Sequence, residues 1–143
     1  ARGCTIVAAK LSKNVVIFQN VTIGSNMRYN KIKKEWENVG SPIIAENVII
    51  ADGAKVLGQI TIGKNTVIGE GTRVHYTASI GDNVATGYRA LLYKDCEISD
   101  HSIICDHVQI YQGQKIPAFQ IITTRPASFL QKTGTFDLSN FFE

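Results

Sequence analysis

The sequence predicts an all-β chain that coils as a parallel β-helix, and two columns of residues carry this prediction. Stepping by six from Ile44 to Ile116 meets an aliphatic residue at every stop except Thr86. The position four residues after each stop, from Val48 to Val108, is also small or β-branched. Neither the period of a helix nor that of an ordinary strand gives this pattern, whereas a fixed hexapeptide period is typical of β-helices. Three hexads make one triangular coil, so the chain returns above itself after eighteen residues, about 4.8 Å higher.

The coils begin before this array and are interrupted once. Leu11, Ile17 and Ile23 keep the step of six, and Thr5 extends it upstream. The separation of Ile23 from Ile44 exceeds the period by about fifteen residues, so a loop over about 25–42 must leave the prism. We therefore expect a single domain over 1–143, with coils at 5–24 and 44–117, a loop at 25–43 and a tail at 118–143.

The loop has two kinds of candidate binding residue, and long loops on rigid solenoids often carry binding sites. Tyr29 and Trp36 are suited to docking on a neighbouring molecule. Lys31, Lys33 and Lys34 either bind phosphate or form a solvated charged face, and the sequence favours the solvated face.

The bulk composition narrows the class of protein. The 143 residues carry a net charge of +3 with both signs interspersed, so no nucleic-acid partner is expected. No apolar run approaches the length that spans a bilayer, so no membrane partner is expected. Cys4, Cys96 and Cys105 show no CxxC spacing, which indicates a reducing, cytoplasmic location. Cys96 falls in the second column, so we predict that it packs in the core.

The three histidines, all in the later coils, do not share the coil spacing of eighteen, so no metal site is expected. A different set does recur at steps of eighteen and is predicted to stack along one edge: Leu57, His75, Tyr93 and Tyr111. This column either lines a cleft, with His75 as a general base, or forms an aromatic seam against another subunit.

The segments on either side of the loop, FQNVTIG and SPIIAENVIIADGAKVLGQITIGKNTVIGEGTRV, resemble the hexapeptide-repeat acyltransferases. Within that family they are most similar to serine O-acetyltransferase and to the acetyltransferases of polysaccharide clusters. The loop interrupts the coils directly after VTIG and re-enters through a proline, as in the family. The end of the coils, Ile116-Pro117 followed by Ile121-Ile122, is also similar.

The resemblance implies a left-handed β-helix, a homotrimer, and acetyl-CoA as co-substrate between neighbouring prisms. It implies an O- or N-acetyltransferase that acts on a small amino acid or sugar acceptor through a histidine base. One family histidine would fall before Ala1 or near Arg2, and the other corresponds to Ser41, which cannot act as a base. The alternative is therefore a catalytically silent β-helix, a scaffold or a ligand-binding relative.

The candidate site residues fall into three groups. His75 is the candidate base. Ala51, Gly53 and Gly69 are expected to approach the pantetheine arm, and Thr124, Arg125 and Pro126 to lie by the coenzyme, where Arg125 suits a phosphate. Gln19, Asn20, Asn26 and Tyr29 are candidates for binding the acceptor.

Overall fold

The computed structural model describes residues 2–123 and 135–137, and within them every regular element is a β-strand. In chain order the strands are β1 (Thr5–Ile6), β2 (Lys10–Leu11), β3 (Val16–Ile17), β4 (Thr22–Gly24), β5 (Met27–Asn30), β6 (Glu35–Asn38), β7 (Ile43–Ile44), β8 (Ile49–Ile50), β9 (Lys55–Leu57), β10 (Thr61–Ile62), β11 (Val67–Ile68), β12 (Arg73–Val74), β13 (Ser79–Ile80), β14 (Ala85–Thr86), β15 (Leu91–Leu92), β16 (Glu97–Ile98), β17 (Ile103–Ile104), β18 (Gln109–Ile110), β19 (Lys115–Ile116), β20 (Gln120–Ile122) and β21 (Thr135–Asp137). This described part contains no helix with the length and apolar character that crossing a bilayer would require.

The strands stack into three faces of a prism. Face A contains β1, β4, β9, β12, β15 and β18, and face B contains β2, β7, β10, β13, β16 and β19. Face C contains β3, β8, β11, β14, β17 and β20, with β21 added antiparallel at its edge. The other neighbours within the faces pair in parallel, as Val74 does with Leu92 eighteen residues later. The predicted parallel β-helix is confirmed.

The two predicted columns fill the interior of the prism. Every stop from Ile44 to Ile116 is buried, and so is every member of the second column from Val48 to Val108. Cys96 is fully buried in the second column, as the sequence predicted. Because each coil covers the apolar residues of the next, the core is continuous along the prism.

The first coil departs from the predicted register. Thr5 pairs with Thr22 and Ile6 with Ile23, so the inward column continues at Ile6 rather than at Thr5. Leu11 keeps its predicted place but is 42% exposed, because β2 is the last strand of face B and has a neighbour on one side only.

The coils also extend past their predicted end at residue 117. Strand β20 pairs in parallel with β17, with Ile104 opposite Ile122. Ile122 lies six residues after Ile116, so the aliphatic step survives the intervening proline.

The predicted loop is a two-stranded antiparallel hairpin, β5 and β6, in which Tyr29 pairs with Trp36. Its base is closed by the N–H of Asn26, which donates to the carbonyl of Gly40 at 3.0 Å. The hairpin leaves after β4 of face A and returns at β7 of face B, so it projects from the vertex between these faces.

Left-handed residues form columns at the vertices of the prism. One column follows face B and contains Asn14, Asn47, Asn65, Asn83, His101 and Phe119; another follows face C and contains Asn20, Gly53, Gly71, Arg89 and His107. Asparagine and glycine adopt this conformation at low cost, and histidine more readily than most residues, which explains much of the composition of the vertices.

The outer surface of face C carries an aliphatic stripe, which we define as Val16, Ile49, Val67, Ala85 and Ile103. Its large members are between 37% and 47% exposed. The corresponding outward positions of face B are mostly polar, such as Thr61, Ser79 and Glu97. The stripe is therefore a property of one face.

Candidate functional site

Two columns of outward-facing side chains lie side by side on face A. The first contains Lys55, Arg73, Leu91 and Gln109, and the second contains Leu57, His75, Tyr93 and Tyr111; both repeat every eighteen residues. On each coil the two members are two residues apart along an extended segment. Their side chains therefore point to the same side, about 7 Å apart at the backbone.

The second column is the stack that the sequence predicted. The rings of His75 and Tyr93 have centroids 5.7 Å apart and are nearly parallel, at 9°. The rings of Tyr93 and Tyr111 follow at 6.0 Å and 12°. The backbone N–H of His75 donates to the backbone carbonyl of Leu92 at 2.9 Å. The pairing of the coils therefore fixes the backbone that carries the imidazole.

An open groove of about 630 Å³ runs along the first column, the one that contains Lys55 and Arg73. Its lining residues are Gly53, Lys55, Gly71, Arg73, Arg89, Leu91, His107 and Gln109. Three of them are cationic and none is a carboxylate. In the part of the chain that the structure describes, neither Lys55 nor Arg73 forms an ion pair. The groove is therefore a region of positive potential suited to a ligand with phosphate groups.

Arg89 is held at the rim of the groove by aromatic contacts. Its guanidinium carbon lies 5.2 Å from the centroid of the Tyr88 ring. Tyr88 packs edge-on against His107, with centroids 5.5 Å apart. A cation over a ring face is favourable, so Tyr88 stabilises the position of Arg89.

A smaller recess of about 350 Å³ adjoins the groove at the vertex between faces C and A. It shares Gly53, Gly71 and Arg89 with the groove and adds Asn20, Asp52, Glu70 and Tyr88. The backbone N–H of Gln19 donates to the carboxylate of Asp52 at 3.3 Å. This recess is thus the polar and acidic end of an otherwise basic surface.

The candidate glycines have different surroundings. A Cβ at Gly53 would meet nothing within 4 Å, so this backbone is open to the groove. A Cβ at Gly69 would meet the carbonyl oxygens of Gly87 and Thr86 in the next coil. Gly69 therefore allows the coils to stack closely, whereas Gly53 leaves room for a ligand.

The four candidate acceptor residues lie along two edges of face A. Gln19 and Asn20 precede face A, at the vertex with the acidic recess. Asn26 and Tyr29 follow it, at the vertex that also carries His75. Thr124, Arg125 and Pro126 lie outside the described residues, and Ala51 directly follows β8 at the first vertex.

The three imidazoles are spread over separate aromatic contacts. His75 stacks on Tyr93, and His107 meets the edge of Tyr88. His101 stacks on Phe119 with centroids 4.9 Å apart. Within residues 2–123 and 135–137 no group of three or more His, Cys, Asp or Glu side chains is placed to hold a metal ion.

The basic residues of the groove were missed by sequence reasoning. Lys55 and Arg73 are eighteen residues apart, as are Arg89 and His107. The spacing that revealed the aromatic column would have revealed these pairs as well. Isolated surface cations usually form a solvated face, so this spacing alone does not indicate a binding site.

Comparisons with known proteins bear on this architecture. Residues 41–75 match the family model of the bacterial transferase hexapeptide (six repeats). No curated protein matches the chain. Among solved structures the chain is similar to a mutant of GDP-perosamine N-acetyl transferase from Caulobacter crescentus in complex with CoA and GDP-perosamine, with a TM-score of 0.62, 16% identity, and 87% of this chain and 54% of that chain covered.

A second similar structure is PerB from Caulobacter crescentus in complex with CoA and GDP-perosamine, with a TM-score of 0.53 and 15% identity. The match covers 82% of this chain and 53% of that chain, so this chain spans about half the length of either structure. At 15–16% identity the similarity to these two structures shows a shared fold and nothing further. The chain therefore folds as a hexapeptide-repeat β-helix, and its residues 41–75 are similar to the repeats of the bacterial hexapeptide transferases.

Proposed function

We propose that this protein is an acyl-CoA-dependent O- or N-acetyltransferase with acetyl-CoA as co-substrate and a small amino acid or sugar as acceptor. The observation that carries the proposal is a groove lined by Lys55, Arg73 and Arg89 on the face of the prism that also carries His75, two residues after Arg73. The cations suit the phosphate groups of a coenzyme, and a nearby base suits the removal of a proton from the acceptor during acyl transfer. The CoA held by both similar structures supports this assignment.

The basic groove is proposed to bind the phosphate groups of the coenzyme. Lys55 and Arg73 lie on adjacent coils, with backbones about 4.8 Å apart, a spacing that suits neighbouring phosphates. Gly53 leaves its backbone open at the wall of the groove. We propose that Ala51 and Gly69 lie along the pantetheine arm and that Thr124, Arg125 and Pro126 complete the coenzyme site.

The coenzyme supplies an activated acyl group as a thioester. His75 would act as the general base and remove a proton from the acceptor hydroxyl or amine as that group bonds to the acyl carbon of the thioester. The carbon–sulfur bond would break in return, and the imidazolium would give its proton to the departing thiolate of the coenzyme. The parallel contact with Tyr93 holds the imidazole ring in a fixed orientation. Asn26 and Tyr29 lie at the same vertex, and Gln19 and Asn20 at the opposite edge of face A, where they are proposed to bind the acceptor.

Coenzyme binding tests the groove. CoA and acetyl-CoA should each raise the melting temperature of the wild-type protein, because a ligand that binds only the folded state stabilises it. Arg73→Ala should remove most of this shift, whereas Lys64→Ala, which removes a charge outside the groove, should preserve it. A melting temperature that neither CoA nor acetyl-CoA changes would rule out the groove as a coenzyme site.

Turnover tests the base. His75→Ala should abolish thiol release over a panel of amino acid and sugar acceptors, while the melting temperature and the coenzyme-induced shift stay near those of the wild type. The shift should survive because the imidazole stands beside the groove and is not one of its lining residues. Thiol release by His75→Ala at the wild-type rate would exclude His75 as the base.

A catalytically silent scaffold or ligand-binding protein is the second candidate, and one observation favours it. Ser41, which follows the hairpin and precedes the buried Pro42, has no side-chain group that can act as a base at neutral pH. Stabilisation by CoA without thiol release from any acceptor would support this second function.

We also propose that the protein forms a homotrimer. The aliphatic stripe on face C supports this, because a contiguous apolar surface of this kind usually marks an interface. Three copies around one axis would cover the stripe through a closed, symmetric contact.

A further inference from the structure

We infer that the β5–β6 hairpin docks on an anionic phospholipid surface. The inference concerns a vertex of the prism and does not depend on the proposed transferase activity. It rests on the division of the hairpin into two chemically different sides and on the composition of its tip.

One side of the hairpin is polar, and two of its charges form an ion pair. Arg28 and Glu37 are opposite each other, and the guanidinium donates to the carboxylate at 3.0 Å. The side-chain amide of Asn30 donates to the other oxygen of Glu37 at 3.3 Å. Successive side chains along a strand point to opposite sides, so Glu35, two residues before Glu37 and opposite Asn30, belongs to this side as well.

The other side is mostly apolar and faces solvent, and its polar member is Asn38, the cross-strand partner of Met27. Tyr29 and Trp36 are cross-strand partners whose rings meet edge to face, with centroids 5.5 Å apart. Met27, two residues before Tyr29, lies on the same side. Met27, Tyr29 and Trp36 are 49%, 44% and 67% exposed, although large apolar and aromatic side chains are usually covered in a folded chain.

The tip between the strands joins this apolar side to a cluster of positive charge. Ile32 is 93% exposed and stands among Lys31, Lys33 and Lys34. The side-chain oxygen of Asn30 accepts the N–H groups of Ile32 and Lys33, both at 3.0 Å, so the turn is already ordered. In the described part of the chain none of the three lysines forms an ion pair.

This combination fits the interface of an anionic bilayer. Tryptophan and tyrosine are enriched at the level of the lipid headgroups, an exposed isoleucine gains by entering the acyl boundary, and lysines are attracted to negative headgroups. A nucleic acid would match the lysines but would leave Ile32 and Met27 uncovered. The lack of a spanning apolar run does not bear on this inference, because an interfacial element buries only a few side chains.

The aliphatic stripe lies elsewhere on the molecule. The hairpin projects from the vertex between faces A and B, which in a triangular prism is opposite face C. An assembly that covers the stripe therefore has its contact on the far side of the prism from the base of the hairpin.

Tryptophan fluorescence gives a direct test, because Trp36 is the only tryptophan in the chain. Titration with vesicles of phosphatidylcholine and phosphatidylglycerol in equal parts should shift its emission to shorter wavelength and carry the protein into the vesicle pellet. Vesicles of phosphatidylcholine alone should bind far more weakly. Salt should weaken the binding to the anionic vesicles, because surface charge is screened.

Two variants separate the apolar and the charged contributions. Ile32→Ser should weaken vesicle binding by about 10-fold, because one aliphatic side chain no longer enters the interface. Replacing all three tip lysines, with Lys31→Ser, Lys33→Ser and Lys34→Asn, should weaken it by about 100-fold. Asparagine is chosen at residue 34 because the φ of 54° there is left-handed.

The matched control removes three charges from the prism instead. A variant with Lys10→Ser, Lys64→Ser and Lys115→Ser should bind the vesicles much as the wild type does, apart from a small loss of long-range attraction. Equal losses in the two triple variants would show non-specific attraction and overturn the inference.

Other occupants give different results, and each of them excludes the membrane. An emission maximum of Trp36 that is unmoved by anionic vesicles would overturn the inference directly. A blue shift produced by double-stranded DNA but not by vesicles would assign the surface to nucleic acid. A blue shift that depends on protein concentration without any lipid would assign it to a second copy of the chain.

Discussion

Thr86 is the one polar residue in the aliphatic column, and its hydroxyl replaces a backbone contact. The N–H of Gly69 donates to the Thr86 hydroxyl oxygen at 2.9 Å. In the next coil the equivalent N–H, that of Gly87, donates to the backbone carbonyl of Ile104. A buried hydroxyl is tolerated when it is hydrogen-bonded, so the exception in the pattern is consistent with the fold.

Gly69 should be intolerant of any side chain. A Cβ there would meet backbone carbonyl oxygens of the next coil, which cannot move without disturbing the pairing. Gly69→Ala should lower the free energy of unfolding by about 3 kcal/mol, measured by denaturant titration. The control is Gly53→Ala, which has open space around it and a φ of +69°, and should cost about 1–2 kcal/mol. Equal costs for the two variants would contradict the packing role of Gly69.

Cys96 should make stability fall at alkaline pH. Burial raises the pKa of its thiol from 9.0 to about 11, so the unfolded chain ionises first. The contribution is fully present below pH 9 and is lost as pH rises through 11, by about 2–3 kcal/mol. The measurement is the free energy of unfolding at several pH values in that range.

The control for this prediction is Cys96→Ala, which places in the column a residue that already occurs there at Ala78 and Ala90. The variant should be less stable at neutral pH but should lose less stability between pH 9 and 11. Parallel pH profiles for the two proteins would show that other groups cause the alkaline loss.

At the scale of the element, the hairpin is the part of the fold that could not be predicted from amino-acid composition. The sequence required an insertion, yet residues 25–43 contain no clear alternation of polar and apolar residues. The ribbon is formed by cross-strand pairs such as Tyr29 with Trp36 and Arg28 with Glu37. Pairs of this kind stabilise a two-stranded sheet only once both strands are in register, so they are difficult to see in a linear sequence.

The hairpin should loosen in acid because Glu37 becomes protonated. Hydrogen bonds from Arg28 and Asn30 hold the pKa of Glu37 below its ordinary value of 4.5. Its stabilising contribution is therefore present above pH 4.5 and is lost as pH falls through the lower pKa of the folded hairpin. The emission and anisotropy of Trp36 should report this transition.

Two variants identify the carboxylate whose protonation causes the acid transition of the hairpin. Glu37→Gln should abolish the acid transition of Trp36, because the amide does not titrate. Glu35→Gln, on the same side of the hairpin, should retain it. An acid transition that survives in Glu37→Gln would assign it to a different carboxylate.

At the scale of the whole molecule, the proposed trimer assigns the aliphatic stripe of face C to a contact between prisms. Light scattering should give three times the mass of one chain for the wild type. Val67→Glu places a charge in the middle of the aliphatic stripe and should dissociate the assembly, since an unpaired charge at an interface is costly. Thr61→Glu makes the same change at the outward position of face B and should leave the mass unchanged. A wild-type monomer would exclude the trimer and any site between subunits.

The sequence by itself determined the coil and its contents. A step of six with one aliphatic and one small column can be satisfied only when both columns face inward, so burial from Ile44 to Ile116 followed from spacing alone. The same spacing placed His75, Tyr93 and Tyr111 in one stack. The prediction was less accurate at the ends, where Ile6 takes the inward place and Ile122 continues the column, because an end coil is constrained from one side only.

Only the tertiary structure decided which outward-facing residues lie together on the surface. Lys55 and Arg73 are eighteen residues apart, so the stacked coils bring them to within a strand spacing of each other. Arg89 joins them in the groove from the vertex between faces C and A. The inward residues follow a rule that every coil repeats. The outward residues are free of that rule, so their partners depend on how the faces, the vertices and the hairpin are arranged in space.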